Sequence, residues 1–242
     1  MTKSQIKAEA VLFDKDGTLM DFDSFWVSLS RIAVEELLEG WGMRDPTDKI
    51  LFSFGIQGEK ADRDGVLCKG NYKQMAQAAW EILRKAAPPC SFEKWEKSLT
   101  ESYIRNAPRG TVRPLCDNLR EILSSLSDRG VKTALVTTDN AFITGLCLER
   151  LGIGDLFSRI YTADSPFPLK PKPDAALDFC RREHCRREGV WMVGDTETDL
   201  LFAKAAGIRF IGIAADGKTR KLFEKKADAV IENPSALSEL LF

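Results

Sequence analysis

The chain has few of the residues that bind soft metals or build a disulfide framework. It has one histidine, His184, and six cysteines, at positions 68, 90, 116, 147, 180 and 185, without a CxxC pair. In a chain of 242 residues this spacing does not indicate a disulfide framework, so we interpret the cysteines as reduced thiols of a cytoplasmic protein. His184 stands in a charged stretch with no second histidine nearby, which favours an exposed helix face over a metal ligand.

Long apolar runs and an excess of either charge are also missing. No run approaches the roughly 18 residues that a membrane helix requires, and the opening MTKSQIKAEA has no apolar signal core. The 35 basic and 36 acidic residues give a net charge of −1. We therefore expect no nucleic-acid and no membrane partner, and a cytoplasmic protein that is a monomer or a homodimer.

The chain does contain a series of short apolar runs of strand length. They are AVLF (10–13), KTALVT (132–137), RIYTA (159–163), VWMVG (190–194) and RFIGIA (209–214). Helical patterns lie between the later runs and end at glycines where a C-cap belongs. Strands that alternate with helices predict an α/β fold with a Rossmann-like, doubly wound parallel sheet. The continuous apolar character of the strands agrees with burial on both faces.

The segment that follows the first predicted strand interrupts this alternation. Apolar residues recur there at helical spacing, as in residues 25–40 and 71–87. Four of the five tryptophans also lie there, and large aromatic side chains can supply the core that a separate helical unit needs. We predict an inserted α-helical domain at residues 21–106 and an α/β core domain at residues 1–20 and 107–242.

Polar side chains follow the predicted strands at the edge where parallel α/β sheets bind their ligands. They are Asp14 and Asp16, Thr137 and Thr138, Lys170, and Asp195 and Asp199. Clustered carboxylates without cysteine or histidine suit a hard cation, Mg²⁺ in particular. A lysine and a threonine hydroxyl beside that ion suit a phosphoryl group. One carboxylate could then act as nucleophile and its neighbour as general acid and base.

Four motifs in this order resemble the haloacid dehalogenase (HAD) superfamily of hydrolases. FDKDGTL (13–19) matches its first motif, VTT (136–138) the second, KPKP (170–173) the third and GDTETDL (194–200) the fourth. The resemblance is to the phosphoglycolate-phosphatase-like branch, whose members carry a helical cap of the C1 type. The inserted helical segment matches that cap in position and size only. The resemblance implies a HAD-like core and a Mg²⁺-dependent phosphatase that forms an aspartyl-phosphate.

The resemblance also implies a role for each acid. Asp14 would be the nucleophile and a metal ligand. Asp16 would be the general acid/base, and its backbone carbonyl would also bind the metal. Asp195 would bind the metal directly, and Asp199 directly or through water. Because the two are four residues apart, they would share a face if their turn is helical.

The phosphoryl group would be held by residues of the second and third motifs. The resemblance implies that Thr137 binds the phosphoryl oxygens, and we include Thr138 in the phosphate site. Close relatives often have asparagine at position 138, and Asn140 either compensates for this or does not. Lys170 would neutralise charge on Asp14 and the phosphoryl group, with Lys172 the weaker candidate.

Three further positions of the first motif and its continuation need an interpretation. Lys15 replaces the usual leucine or methionine, and we expect it to point away from the site and to be neutral, because alternate strand residues face oppositely. Asp23 precedes an amphipathic run, so we expect it to cap a helix. Asp21 lies where the chain leaves for the helical insertion, and a role on the substrate side stays open.

Asp16 separates the possible functions. The resemblance implies that P-type ATPases carry threonine at this position and that the dehalogenases lack the second acid. We therefore expect a phosphatase acting on a small phosphorylated substrate, either phosphoglycolate-like or a sugar phosphate. The alternatives are a phosphomutase of the β-phosphoglucomutase type and a non-catalytic phosphate-binding protein. Residues of the cap would select the substrate.

Overall fold

The structure is a computed structural model that describes residues 8–43, 45–86 and 88–241. The prediction that the opening MTKSQIKAEA has no signal core concerns ten residues, of which the first seven lie outside the described part. Residue 87, the last of the predicted 71–87 helix, also lies outside it. The described residues form two compact units. The sheet unit comprises the chain up to Asp21 and from Pro114 onward, and the helical unit comprises Phe22–Arg113.

The secondary structure of the described residues consists of short strands and helices that follow one another along the chain. The strands are β1 (Ala10–Phe13), β2 (Ile56–Gln57), β3 (Lys60–Ala61), β4 (Lys132–Val136), β5 (Arg159–Tyr161), β6 (Val190–Gly194), β7 (Arg209–Ile213) and β8 (Ala229–Ile231). The α-helices are α1 (Ser28–Gly40), α2 (Thr47–Ser53), α3 (Val66–Lys69), α4 (Tyr72–Leu83), α5 (Phe92–Asn106), α6 (Leu119–Asp128), α7 (Ala141–Leu151), α8 (Asp174–Glu183), α9 (Glu197–Ala206), α10 (Gly217–Phe223) and α11 (Leu237–Leu241). None of the helices in the described part of the chain combines the length and the apolar character needed to cross a membrane.

The sheet unit is built on a parallel sheet. Among the described residues, its strand order is β5-β4-β1-β6-β7-β8, and every neighbouring pair is parallel. The chain forms β1, β4 and β5 in order toward one edge of the sheet and then crosses to β6 on the other side of β1. Such a reversal leaves a crevice beside the carboxyl end of the first strand. The prediction of a Rossmann-like, doubly wound α/β sheet is confirmed.

Side chains of the strands alternate between two apolar cores, one on each face of the sheet. From β1, Val11 and Phe13 face a core that contains Leu123 and Leu126 of α6. Ala10 and Leu12 face the other core, with Phe179 of α8 and Phe202 of α9. Because both faces are covered by helices, every residue of β1 is fully buried, which explains its uninterrupted apolar sequence.

The helical unit has its own core, organised around Trp95. The Trp95 side chain is fully buried, and its indole N–H donates a hydrogen bond of 3.0 Å to the Ala76 carbonyl of α4. The Tyr103 hydroxyl, further along the same face of α5, donates to Ser30 Oγ of α1 at 2.7 Å. Helix α5 therefore holds α1 and α4 through buried polar contacts as well as through apolar packing.

The segment after α5 packs with the helical unit. The Thr111 backbone N–H donates to Ser28 Oγ at 3.2 Å. A Cβ at Gly110 would lie 2.7 Å from the ring of Phe25, so this glycine allows close packing. These contacts explain why the helical unit extends to Arg113, beyond the end of the predicted insertion at residue 106.

The expectation that Asp23 caps a helix is wrong. A π-helical turn, Asp23–Val27, runs directly into α1, and no side chain caps its start. The Asp23 carboxylate instead accepts a hydrogen bond of 3.1 Å from the Ala61 backbone N–H. Lys60 Nζ lies 3.3 Å from the same carboxylate. Asp23 therefore fixes the β2–β3 hairpin to the first turn of the helical unit, a contact 38 residues away in sequence.

Replacement of Trp95 by phenylalanine should destabilise the helical unit by about 2 kcal/mol. The substitution removes the hydrogen bond that the Ala76 carbonyl accepts in addition to its helical bond, and it opens a cavity. Each effect costs roughly 1 kcal/mol. The control is Trp80→Phe, because Trp80 is only half-buried. Urea denaturation followed by far-ultraviolet circular dichroism measures both free energies of unfolding. Equal losses for the two variants would contradict the central role of Trp95.

Candidate active site

Asp14 lies at the carboxyl end of β1, beside the crevice. Phe13 pairs with Leu135 of β4 and with Val193 of β6. The last residues of both neighbouring strands therefore lie beside Asp14. The Asp14 backbone N–H continues the ladder by donating to the Val193 carbonyl at 2.9 Å. The strand register therefore fixes the backbone of Asp14, and its side chain is almost completely buried.

A tight turn follows Asp14 and depends on Gly17. The Gly17 N–H donates to the Met20 carbonyl at 2.8 Å, and the Lys15 carbonyl accepts from Leu19 N at 2.9 Å. Gly17 has φ 77°, in the left-handed region that favours glycine. A Cβ at this position would lie 2.1 Å from Asp195 Oδ2. Gly17 therefore allows the turn and also leaves the space that Asp195 occupies.

Three carboxylates converge beside this turn. One oxygen each of Asp14, Asp195 and Asp199 lies within 4.8 Å of the others. Asp14 ends β1, and the other two follow β6 on the neighbouring strand. Helix α9 begins at Glu197, so Asp195 lies before the helix and the expected shared helix face does not form. The carboxylates meet because the β6 loop and the first turn of α9 both reach the end of β1.

The amine of Lys170 bridges two of these carboxylates. Lys170 Nζ lies 2.5 Å from Asp14 Oδ1 and 2.6 Å from Asp199 Oδ1. The Lys170 side chain is 4% exposed, whereas Lys172 is exposed. Of the two lysines in the third motif, the structure thus brings Lys170 into the carboxylate cluster.

Both oxygens of the Asp199 carboxylate accept hydrogen bonds within the protein. Oδ1 accepts from Lys170, and Oδ2 accepts from Thr196 N at 3.1 Å and Thr196 Oγ1 at 2.5 Å in a capping box. A Cβ at Gly194 would lie 2.5 Å from Asp199 Cβ, so the side chain fits only against a glycine. These contacts fix the orientation of the Asp199 carboxylate toward Lys170.

The buried charges of the cluster shift one another's pKa. Burial raises the pKa of Asp14 to about 7, and the Lys170 ammonium opposes this rise. Burial also pulls the pKa of Lys170 down, but Asp14 and Asp199 together outweigh it and hold that pKa above its usual value. Lys170 is therefore charged, and its single positive charge does not balance the carboxylates around it.

The donor set fits a divalent cation. It consists of carboxylate oxygens alone, which hard cations prefer. Burial raises the pKa of Asp14, and a cation bound beside this carboxylate would stabilise its ionised form. Among the described residues, Asp14, Asp195 and Asp199 form the group with this geometry. The Asp16 carboxylate does not belong to it, which leaves its backbone carbonyl as the predicted metal contact.

Some of the residues that follow β4 lie at the candidate site, and others belong to the start of the adjacent helix. Thr137 is buried, and its Oγ1 accepts a hydrogen bond of 3.2 Å from Asp139 N, which leaves the hydroxyl proton available for donation. Thr138 is exposed. Asn140 is the N-cap of α7, and its Oδ1 accepts from Ile143 N at 2.9 Å. The Oδ1 atom of Asn140 thus caps the helix.

The expectation that Lys15 points away from the site is wrong. Lys15 is completely buried, and its Nζ lies 2.8 Å from Asp16 Oδ2. Asp139 Oδ2, beyond the end of β4, lies 3.3 Å from the same amine. The alternation argument fails because β1 ends at Phe13 and the turn brings Lys15 and Asp16 to the same side.

The sequence did contain a signal for this contact. A lysine two residues after the end of a fully buried strand needs a carboxylate partner if it is itself buried, because lysine is almost never buried unpaired. The neighbouring strand β4 is followed shortly after its end by Asp139. Opposite charges at the ends of adjacent parallel strands therefore indicate an ion pair, and this pattern could have located it.

Other charged features of the sheet unit lie away from this site. His184 ends α8 with φ 53°, as its left-handed C-cap. It lines a wide cleft at the opposite edge of the sheet, together with Glu9 and Arg186. Glu9 accepts from Arg186 Nε at 2.8 Å, so these charges pair with each other. The cleft contains no convergent acids among its described residues, and we do not assign it to the site.

A model of the haloacid dehalogenase-like hydrolase family matches residues 8–207. The chain therefore belongs to the haloacid dehalogenase-like hydrolases, as its four motifs indicate. The prediction of an enzyme, a hydrolase of the phosphatase type, is confirmed at this level.

Individual relatives support the same family. The chain is similar to the phosphoglycolate phosphatase of Neisseria meningitidis, with 27% identity over 205 residues that cover 85% of this chain and 80% of that protein. Two solved structures share the fold. A Thermotoga maritima protein described as a β-phosphoglucomutase has a TM-score of 0.69 and 24% identity, covering 96% of this chain and 98% of that one. The HAD-hydrolase YfnB of Bacillus subtilis, solved bound to magnesium, has a TM-score of 0.68 and 17% identity, covering 97% and 99%.

Gly17→Ala should destabilise the protein more than the same change at Gly152. Both glycines have positive φ, 77° and 64°, so alanine costs about 1–2 kcal/mol of backbone strain at each. Only at Gly17 does the new Cβ meet Asp195, whereas nothing lies within 4 Å of a Cβ at Gly152. The overlap should add about 1–3 kcal/mol. Urea denaturation measures both variants, and equal losses would show that Asp195 does not occupy this space.

Proposed function

We propose that the chain is a Mg²⁺-dependent phosphatase that hydrolyses a small phosphate monoester through an aspartyl-phosphate on Asp14. The observation that carries the proposal is the Lys170 amine between Asp14 and Asp199, at 2.5 and 2.6 Å. A buried carboxylate at a strand end, held by a buried cation, suits attack on a phosphoryl group. The phosphoglycolate phosphatase relative supports a phosphoglycolate-like substrate, and a sugar phosphate is the other class that we propose.

The metal site is part of the proposal. Asp14 and Asp195, with the backbone carbonyl of Asp16, would hold Mg²⁺, and Asp199 would contribute through water. When bound, the ion supplies a positive charge that offsets the charge of the phosphoryl oxygens. Because both oxygens of Asp199 already accept hydrogen bonds, its first task is to orient Lys170.

In the first half of the reaction, a carboxylate oxygen of Asp14 attacks the phosphorus atom of the monoester. The bond between phosphorus and the leaving oxygen breaks, and Asp16 donates a proton to that oxygen. Lys170 and the Thr137 hydroxyl interact with the phosphoryl oxygens. The products of this step are the alcohol and the phosphorylated Asp14.

In the second half, Asp16 accepts a proton from a water molecule that attacks the same phosphorus atom. The bond between phosphorus and the Asp14 oxygen breaks, which releases inorganic phosphate and restores the carboxylate. Asp16 regains the proton that it gave up, so one residue serves both halves in opposite directions. The water replaces the alcohol, and the net reaction is hydrolysis.

Asp14→Asn should abolish phosphate release from p-nitrophenyl phosphate in the presence of Mg²⁺, because the amide is not a nucleophile. Asp16→Asn should lower kcat by about 10²–10⁴-fold, the usual contribution of general acid/base catalysis. Lys170→Met should also reduce kcat strongly, whereas the matched variant Lys172→Met should retain it, since Lys172 is exposed. Steady-state assays of purified protein measure these rates. Equal rates for the wild type and Asp14→Asn would contradict the proposal.

Mg²⁺ should stabilise the fold, and the stabilisation should grow as the pH rises from about 5 to about 8. At a concentration about 100 times its Kd, the ion should add about 2.7 kcal/mol to the free energy of unfolding. The pKa of Asp14 is raised to about 7, so below that pH a proton competes with the ion. Thermal unfolding at each pH, with and without MgCl₂, gives the increment in stability that the ion causes. Titrations of other groups contribute to both measurements and cancel in this difference. Asp195→Asn should remove it, and an increment independent of pH would contradict the assignment.

A phosphomutase is the second candidate function, because a structural neighbour described as a β-phosphoglucomutase shares the fold. In a mutase, a sugar hydroxyl takes the place of the attacking water. Incubation with β-glucose 1-phosphate separates the two functions. Inorganic phosphate without glucose 6-phosphate supports the phosphatase, and glucose 6-phosphate without net phosphate release supports the mutase.

A further inference from the structure

Lys15 is a second buried cation at the end of β1, separate from Lys170. Its side chain is completely buried, yet its amine contacts both oxygens of Asp16, at 2.9 Å from Oδ1 and 2.8 Å from Oδ2. The Asp16 side chain keeps 17% exposure. One part of the Asp16 carboxylate therefore faces the Lys15 amine, while another part stays accessible.

Asp139 is the second carboxylate that contacts the Lys15 amine. Its Oδ2 lies 3.3 Å from Lys15 Nζ, and its side chain is 9% exposed. Its Oδ1 accepts a hydrogen bond of 2.8 Å from Asn140 N, at the start of α7. Asp139 is thus fixed to the backbone of α7, so the direction from Asp139 through Lys15 to Asp16 is fixed as well.

This arrangement is not explained by stability alone. A buried ion pair usually stabilises a fold no more than well-packed apolar residues of similar volume would. The strand before Lys15 is apolar throughout, and apolar cores lie on both sides of it. A charged chain at this position therefore has a cost, and the group that it contacts, Asp16, is the proposed acid/base.

We propose that Lys15 is a positioning residue that orients the carboxylate of Asp16 for proton transfer, with Asp139 as its anchoring counter-charge. The inference rests on the proposed function. Lys15 acts through Asp16 and touches neither the substrate nor Asp14. Its contribution should therefore depend on how much the reaction needs Asp16.

The dependence of kcat on the leaving group measures this contribution. Phenyl phosphate and p-nitrophenyl phosphate have nearly the same shape, but phenol is the poorer leaving group and needs protonation by Asp16 more. Asp16→Asn should lower kcat more for phenyl phosphate than for p-nitrophenyl phosphate. The double variant Lys15→Met/Asp139→Asn should shift this ratio of kcat values in the same direction, by about tenfold, with KM unchanged.

The double variant removes one positive and one negative charge, so Asp139 is not left as a buried carboxylate without its partner. Asp16, whose side chain is 17% exposed, loses the contact that the test examines. The Asp139→Asn change also keeps a side-chain oxygen to accept from the Asn140 N–H. Asp139→Asn alone keeps Lys15 and its contact with Asp16 but removes the anchoring charge, so its ratio should shift in the same direction by less than in the double variant. If the double variant does not fold, Lys15→Met/Asp139→Leu replaces both charges by apolar side chains and answers the same question.

Several outcomes would overturn the inference. They are an unchanged ratio in the folded double variant, an equal loss on both substrates, and a shift in Asp139→Asn as large as in the double variant. Crystal structures give a readout independent of activity. The Asp16 carboxylate should move by more than about 1 Å in the double variant, and an unmoved carboxylate contradicts positioning by Lys15.

Failure of the inference and failure of the proposed function are distinguishable. A wild type that releases no phosphate from either substrate, like Asp14→Asn, would refute the phosphatase. A wild type whose turnover depends on Asp14, combined with an unchanged ratio in the double variant, would refute only the role of Lys15.

Discussion

The contact of the Lys170 amine with Asp14 and Asp199 is the interaction on which the site depends. Three carboxylates converge at the end of β1, and without a cation their repulsion in a buried setting would favour protonation or displacement. Lys170 reaches the cluster from the loop between β5 and α8 and bridges two of the three acids. Its single charge leaves the cluster negative, so the same geometry that holds the lysine also favours a divalent cation.

The cluster can be this compact because glycines stand where side chains would collide with it. Gly17, in the turn after β1, leaves the space for Asp195, and Gly194, at the end of β6, leaves the space for Asp199. Each glycine belongs to the motif of one strand end and faces a carboxylate. The backbone at the ends of β1 and β6 and the positions of these two acids therefore depend on each other.

Two lysines divide the acids into two groups with different tasks. Lys170 holds Asp14 and Asp199, two acids of the carboxylate cluster. Lys15 contacts both Asp16 and Asp139, outside the carboxylate cluster. Asp14 and Asp16 are two residues apart, yet the turn at Gly17 gives each a separate cation. The proposed nucleophile and the proposed acid/base are thus positioned independently.

The sequence by itself determined the parallel α/β sheet and the strand ends that carry the acids. It could do so because apolar runs and helical periodicity are local signals, and because parallel strands place their carboxyl ends on one edge. The tertiary structure decided the contacts of Lys15 and Asp23, although the opposite charges after β1 and β4 were a signal for the first. Each depends on a partner far along the chain, Asp139 for Lys15 and Ala61 for Asp23, and on a turn whose direction no periodicity encodes. Buried charge is balanced in three dimensions, and for that reason local pattern located the acids but did not assign their partners.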